Sequence, residues 1–106
     1  MNTTEKLALE ERIIEILKTV YDPEIPVNIY DLGLIYRIEL KNDASLEIDM
    51  TLTAPNCPAA DFLVEDVRLK AEGIEGIKQV TINLVFEPEW NKDMMSDEAK
   101  VDLGFM

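Results

Sequence analysis

Apolar residues in this chain change period along its length, and the changes mark out its elements. Leu9, Ile13, Ile16, Leu17 and Val20 recur at helical spacing and form one stripe. Asn2, three residues before Glu5, supplies a start related to the capping box. Pro23 disfavours helical geometry at Asp22, so the spacing predicts a helix ending near Val20 or Tyr21. Residues 21 to 33 carry two prolines, Asn28 and Gly33 and read as irregular. Leu34, Tyr36, Ile38 and Leu40 then alternate with Ile35, Arg37, Glu39 and Lys41, the period of a strand. After a turn at Asn42, Asp43 and Ala44, a second strand points Leu46, Ile48, Met50 and Leu52 inward and Glu47, Asp49 and Thr51 outward. Pro58 suits the first position of a second helix, whose apolar face is Ala60, Leu63, Val64, Val67 and Ala71. Gly73 is expected to stop that helix in a left-handed conformation. A third strand sets Val80, Ile82, Leu84 and Phe86 against Thr81, Asn83 and Val85 and ends at Pro88. Ser96 caps a short helix running to Leu103.

The order helix, strand, strand, helix, strand, short helix predicts an α/β (α+β) fold: a three-stranded mixed sheet with helices packed on one face. The helical crossover makes strands two and three parallel neighbours or leaves a gap between them. Neither a repeat nor a linker divides the chain, so residues 1–106 are expected to form one domain.

Charge narrows the partners. Ten Lys and Arg against 22 Asp and Glu give a net charge of −12. Such a surface repels phosphate backbones and anionic lipid, so neither nucleic acid nor membrane is an expected partner. The first residues mix acids and bases through their apolar positions, unlike a signal peptide, and a cytoplasmic location is expected. One cysteine and no histidine exclude an internal disulfide, a paired-thiol redox motif and a Ser–His or Cys–His catalytic pair.

The one thiol, Cys57, falls between Asn56 and Pro58, where it would cap the second helix. Unpaired N–H groups and the positive end of the helix dipole favour thiolate there, the form that binds metals and attacks electrophiles. Position alone also allows a small buried hydrophobe. Asp22, Glu24 and Asp31 are candidates for hard oxygen ligands or a general base, or for satisfying backbone donors in turns. Thr51 and Thr53 can hydrogen-bond within the cysteine loop or serve as ordinary strand residues. Trp90, Met94 and Met95 form either a patch for a partner or a pin for the C-terminal segment.

Three segments in order are together specific: DPEIPVNIYDLGLIY at 22–36, MTLTAPNCP at 50–58, and the spacing of Trp90, Met95-Ser96 and Leu103-Gly104. They resemble the metal–sulfur cluster biosynthetic proteins of the SufT and PaaD-like type, relatives of the eukaryotic cytosolic iron–sulfur targeting factor. The resemblance runs from about residue 5 to the end of the sequence and matches the minimal single-domain form. It implies an accessory or carrier component in iron–sulfur protein maturation, without turnover of its own. The family's reactive cysteine corresponds to Cys57, its acidic segment to Asp22, Pro23 and Glu24, and its turn to Asp31–Leu34. The implied cargo is iron or an iron–sulfur cluster, held transiently. A cluster usually takes four thiolates and this chain offers one, so a homodimer, a partner or a small thiol must complete the set. Implied partners are iron–sulfur assembly proteins, apo client proteins and a P-loop ATPase carrier. Two other readings of the residues remain open: an adaptor that docks clients through its acidic surface, and a thiol enzyme with a carboxylate base.

Overall fold

The computed structural model describes residues 2–22, 25–53 and 60–104, with Ala60 by its backbone only. Of the residues singled out above, Pro23, Glu24, Asn56, Cys57 and Pro58 lie outside the described ones. Helix α1 spans Thr3–Leu17, strand β1 Ile35–Leu40, strand β2 Ser45–Met50, helix α2 Ala60–Glu72 and strand β3 Gln79–Leu84. A 3-10 turn at Lys92–Met94 and helix α3 at Asp97–Asp102 follow.

The sheet is three-stranded and mixed, in the order β1-β2-β3. β1 and β2 are antiparallel, and β2 and β3 are parallel with Met50 opposite Leu84. No gap separates the parallel pair, so α2 is its crossover. Leu46, Ile48 and Met50 on β2 meet Ile13 and Leu17 of α1 and Leu63, Val67 and Ala71 of α2 in one core. Each such side chain taken out of water is worth roughly 1.5–3 kcal/mol. The other face of the sheet is polar. There Arg37 pairs with Glu39, with Glu47 at 3.2 Å and with Asp49 at 2.8 Å, and Asn83 donates to Glu47 and Asp49.

Several expectations are corrected. α1 ends at Leu17, not near Val20, because Thr19 and Val20 donate to Ile16 and Leu17 in a tightened turn. This turn delivers Val20, 1% exposed, into the core. Gly73 does not take a positive φ; α2 closes through a bond from Ile74 to Ala71, and Gly76 turns left-handed instead. Leu84 and Phe86, expected inside, are 39% and 42% exposed. They continue the inward face of an edge strand whose cover thins toward its end, from buried Val80 through half-buried Ile82.

β1 carries the largest departure. Ile35 pairs with Met50 but Arg37 pairs with Asp49, so Tyr36 is an extra residue in a β-bulge. The bulge takes Tyr36 out of the alternation that placed it with Ile38 and Leu40.

The segment before β1 is irregular yet buried. Val27, Ile29, Leu32 and Leu34 are at most 5% exposed. Its backbone is tied at both ends, Ile29 N donating to Val20 O at 2.8 Å and Thr51 N to Leu34 O at 2.8 Å. The C-terminal segment closes over it. Gly33 has φ +82°, and a Cβ added there would lie 2.3 Å from the carbonyl oxygen of Met94. Ser96 N donates to Asp31 O at 2.7 Å on the same surface.

Gly33→Ala therefore meets both backbone strain and a backbone clash. Urea denaturation should show a loss of about 2–4 kcal/mol. Ala44, in the hairpin turn, has φ +67° without being glycine. Ala44→Gly relieves that strain and should raise stability by about 0.5–1 kcal/mol in the same measurement.

Candidate functional site

In sheets with parallel strands, sites gather at the carboxyl ends, where a crossover helix begins. Here that end is the side-by-side finish of β2 and β3, and the chain leaving β2 runs through Thr51–Thr53 toward residues 54–59. A cleft of about 320 Å³ opens at this place, lined by Thr51, Leu52, Thr53, Phe86, Glu87, Glu89 and Trp90.

Thr51 is 1% exposed, although the strand alternation points it to solvent. Its hydroxyl bonds to the Tyr36 phenol. The Tyr36 hydroxyl in turn donates to Pro88 O at 2.7 Å and lies 3.5 Å from Met94 Sδ. The bulge in β1 thus aims Tyr36 at the end of β2, and the segment around Pro88 covers what alternation leaves open. Burial pushes the Tyr36 phenol above its ordinary value, against the Thr51 hydrogen bond that lowers it. The phenol therefore keeps its proton at neutral pH and remains a donor to Pro88.

Trp90 is half-buried, and its Nε1 donates to Leu32 O at 2.7 Å. Met95 is 5% exposed and belongs to the core. Met94 lines a second, more open cleft of about 710 Å³ with Gly33, Tyr36, Arg37 and Pro88. Glu87 borders both clefts. Trp90 and Met95 thus pin the C-terminal segment to the domain.

Asp22 and Asp31 serve elsewhere. Asp22 is 6% exposed, and its Oδ1 accepts from Ile25 N at 3.0 Å. Asp31 Oδ2 accepts from Asn28 Nδ2, and Asp31 N donates to Asn28 Oδ1, both at 2.8 Å. Both carboxylates serve local turns. Neither is among the described residues that line the cleft. Among the described residues no three Cys, Asp or Glu side chains gather as a metal site. Thr51, Thr53 and Trp90 are therefore the candidates that the structure brings together.

Sequence reasoning missed Tyr36, Phe86, Glu87 and Glu89. Alternation assigns Tyr36 and Phe86 to the core, and the glutamates sit on either side of the proline that ends the third strand. Only the proline between those glutamates signalled a turn of the chain there.

The chain matches the family model of the iron–sulfur cluster assembly proteins over residues 10–84. It is 63% identical over 102 residues to an Fe-S protein maturation auxiliary factor of Porphyromonas gingivalis, covering 96% of this chain and 97% of that one. With the Fe-S protein maturation auxiliary factor YitW of Bacillus subtilis it shares 38% identity, over 92% of this chain and 95% of the relative. The solved structure of a Bacillus anthracis domain of unknown function superposes with a TM-score of 0.89 at 33% identity, covering 99% of this chain and 100% of that one. Sequence and fold agree: the chain belongs to the iron–sulfur cluster assembly protein family, of the SufT and PaaD-like kind.

Proposed function

We propose that this protein is an accessory factor in iron–sulfur protein maturation that takes iron or a cluster as cargo on Cys57 and passes it to apo client proteins. The observation that supports this reading best is its near full-length kinship with relatives named as maturation auxiliary factors. The cleft between Thr51–Thr53 and Phe86–Trp90 adds to it, because Thr53 on its wall closely precedes the cysteine in sequence.

Cys57 supplies the thiolate, with Asn56 and Pro58 beside it in sequence. One thiolate is too few for a cluster, so a second copy of the chain, an assembly protein or a small thiol completes the coordination. Incomplete coordination suits a carrier, since a cargo held by a full set of ligands leaves slowly. Thr51 and Thr53 shape the approach to the thiol. Asp22, Glu24 and Asp31 act as supporting groups, Asp22 and Asp31 by holding the turns of the segment before β1. A P-loop ATPase carrier is the expected upstream partner. None of these roles needs turnover by the protein itself, and the cytoplasm is the compartment that suits them. No described helix is long and apolar enough to cross a membrane.

A docking role without cargo is favoured by one feature, the exposure of two aromatic side chains, Phe62 on α2 at 80% and Phe86 after β3 at 42%. The two roles separate on the thiol. In cells whose only copy is Cys57→Ser, an iron–sulfur client enzyme should lose most of its activity while its polypeptide level stays unchanged. Intact client activity would refute the carrier role and leave docking. In the purified protein, alkylation of Cys57 should proceed well below the ordinary thiol pKa of about 8.5 and be slowed by ferrous iron. Thr51→Val, which removes the hydroxyl bonded to Tyr36, should cost about 1 kcal/mol in urea denaturation.

A further inference from the structure

The cleft at the end of β2 and β3 has an unbalanced set of polar groups. Two of its side-chain donors are engaged: Trp90 Nε1 donates to Leu32 O, and the Thr51 hydroxyl bonds to Tyr36, which leaves the hydroxyl of Thr53. Its acceptors are not. Glu87 and Glu89 are exposed, and neither carboxylate has an ion-pair or hydrogen-bond partner among the described residues. On the open face of the sheet and along α2, Glu39, Glu47, Asp49, Glu65, Asp66 and Glu72 are paired with Arg or Lys. Glu11 and Glu15 on α1 are unpaired among the described residues, like the cleft's glutamates, but have no aromatic cleft beside them. What the cleft offers a ligand is therefore the aromatic surface of Phe86 and Trp90 together with two uncompensated negative charges.

That combination suits an organic cation, because an aromatic face attracts positive charge through its quadrupole and carboxylates accept charge-assisted hydrogen bonds. Among protein groups arginine fits both demands at once. Its planar guanidinium stacks on a ring while its edge N–H groups reach carboxylates. A lysine ammonium can satisfy the carboxylates but is more strongly hydrated and cannot stack.

We propose that this cleft is the anchor pocket for an arginine side chain presented by a protein partner. Phe86, 42% exposed, supplies apolar area for the residues flanking that arginine. The charge of −12 steers a basic segment toward the domain before contact. Only the nature of the partner, a client or an assembly protein, rests on the maturation role proposed above. Recognition of the cation does not involve Cys57.

Trp90 is the only tryptophan and sits in the cleft, so its fluorescence reports occupancy. The probe is a blocked glycine-flanked peptide with one arginine, compared with its citrulline counterpart, which keeps the shape and loses the charge. The arginine peptide should give a saturable fluorescence change and the citrulline peptide none. Glu87→Gln with Glu89→Gln should weaken binding about tenfold, the scale of losing charge-assisted contacts. Glu11→Gln with Glu15→Gln, an equal loss of charge on the exposed side of α1, should leave it unchanged. Both pairs lie on the surface, so folding is preserved, and equal urea midpoints verify this. Phe86→Leu should weaken arginine binding while keeping an apolar side chain in place. An equal response to citrulline, or equal weakening by the two glutamate pairs, overturns the proposal; the latter means diffuse attraction to an acidic surface. Cys57→Ser should bind the arginine peptide normally. A carrier role can thus fail while the pocket stands, and the pocket can fail while client maturation still depends on the thiol.

Discussion

The contact on which the rest of the architecture depends is the approach of Gly33 to the backbone of Met94. A left-handed residue with no side chain lets two segments far apart in sequence touch backbone to backbone. Once they touch, Trp90 reaches Leu32, Ser96 reaches Asp31 and Tyr36 reaches Pro88, each at 2.7 Å. These bonds turn the chain after β3 into a wall. Without it the end of β2 would be open, Thr51 would face water, and no cleft would form there.

The surface charge is organised on the same plan. The open face of the sheet gathers its acids around Arg37, whose guanidinium holds Asp49 below the usual carboxylate range. On the same face a hydrogen bond from Asn83 does the same for Glu47, with Arg37 helping. That face is polar but internally compensated. The carboxylates that remain uncompensated near the cleft are on the wall itself, at Glu87 and Glu89. Neutralised acids contribute little field at a distance, so the paired face adds less to the attraction of a cation than its carboxylates would alone.

Much of this was legible in the sequence, for a plain reason: helical stripes and strand alternation each follow from a repeating local geometry. Leu63, Val67 and Ala71 on α2 and Leu46, Ile48 and Met50 on β2 face the core as their spacing predicts. The mixed sheet followed from the order of the elements. The misses come where one segment's conformation is decided by another. Nothing near Tyr36 announces a bulge, because the extra residue exists only relative to β2. Thr51 is inside because a distant segment covers it. The buried role of Val27, Ile29, Leu32 and Leu34 was hidden by two prolines and a glycine that marked their stretch as a loop. At the site, Cys57 could be singled out by residue type and neighbours. Asp22 and Asp31 could not be placed beside it or away from it, since a carboxylate in a turn looks the same in sequence as one in a cleft.

The wall also imposes an order of events during synthesis. The β1–β2 hairpin needs only a short turn and can form as soon as it emerges from the ribosome. The parallel partner β3 must wait for the crossover helix, and the bonds from Pro88, Trp90 and Ser96 must wait longer still. A nascent chain therefore has its cysteine synthesised before the residues that close the cleft at the end of β2 exist. For that interval Thr51 lacks the cover of the C-terminal segment, and the end of β2 is finished only when the last pins close.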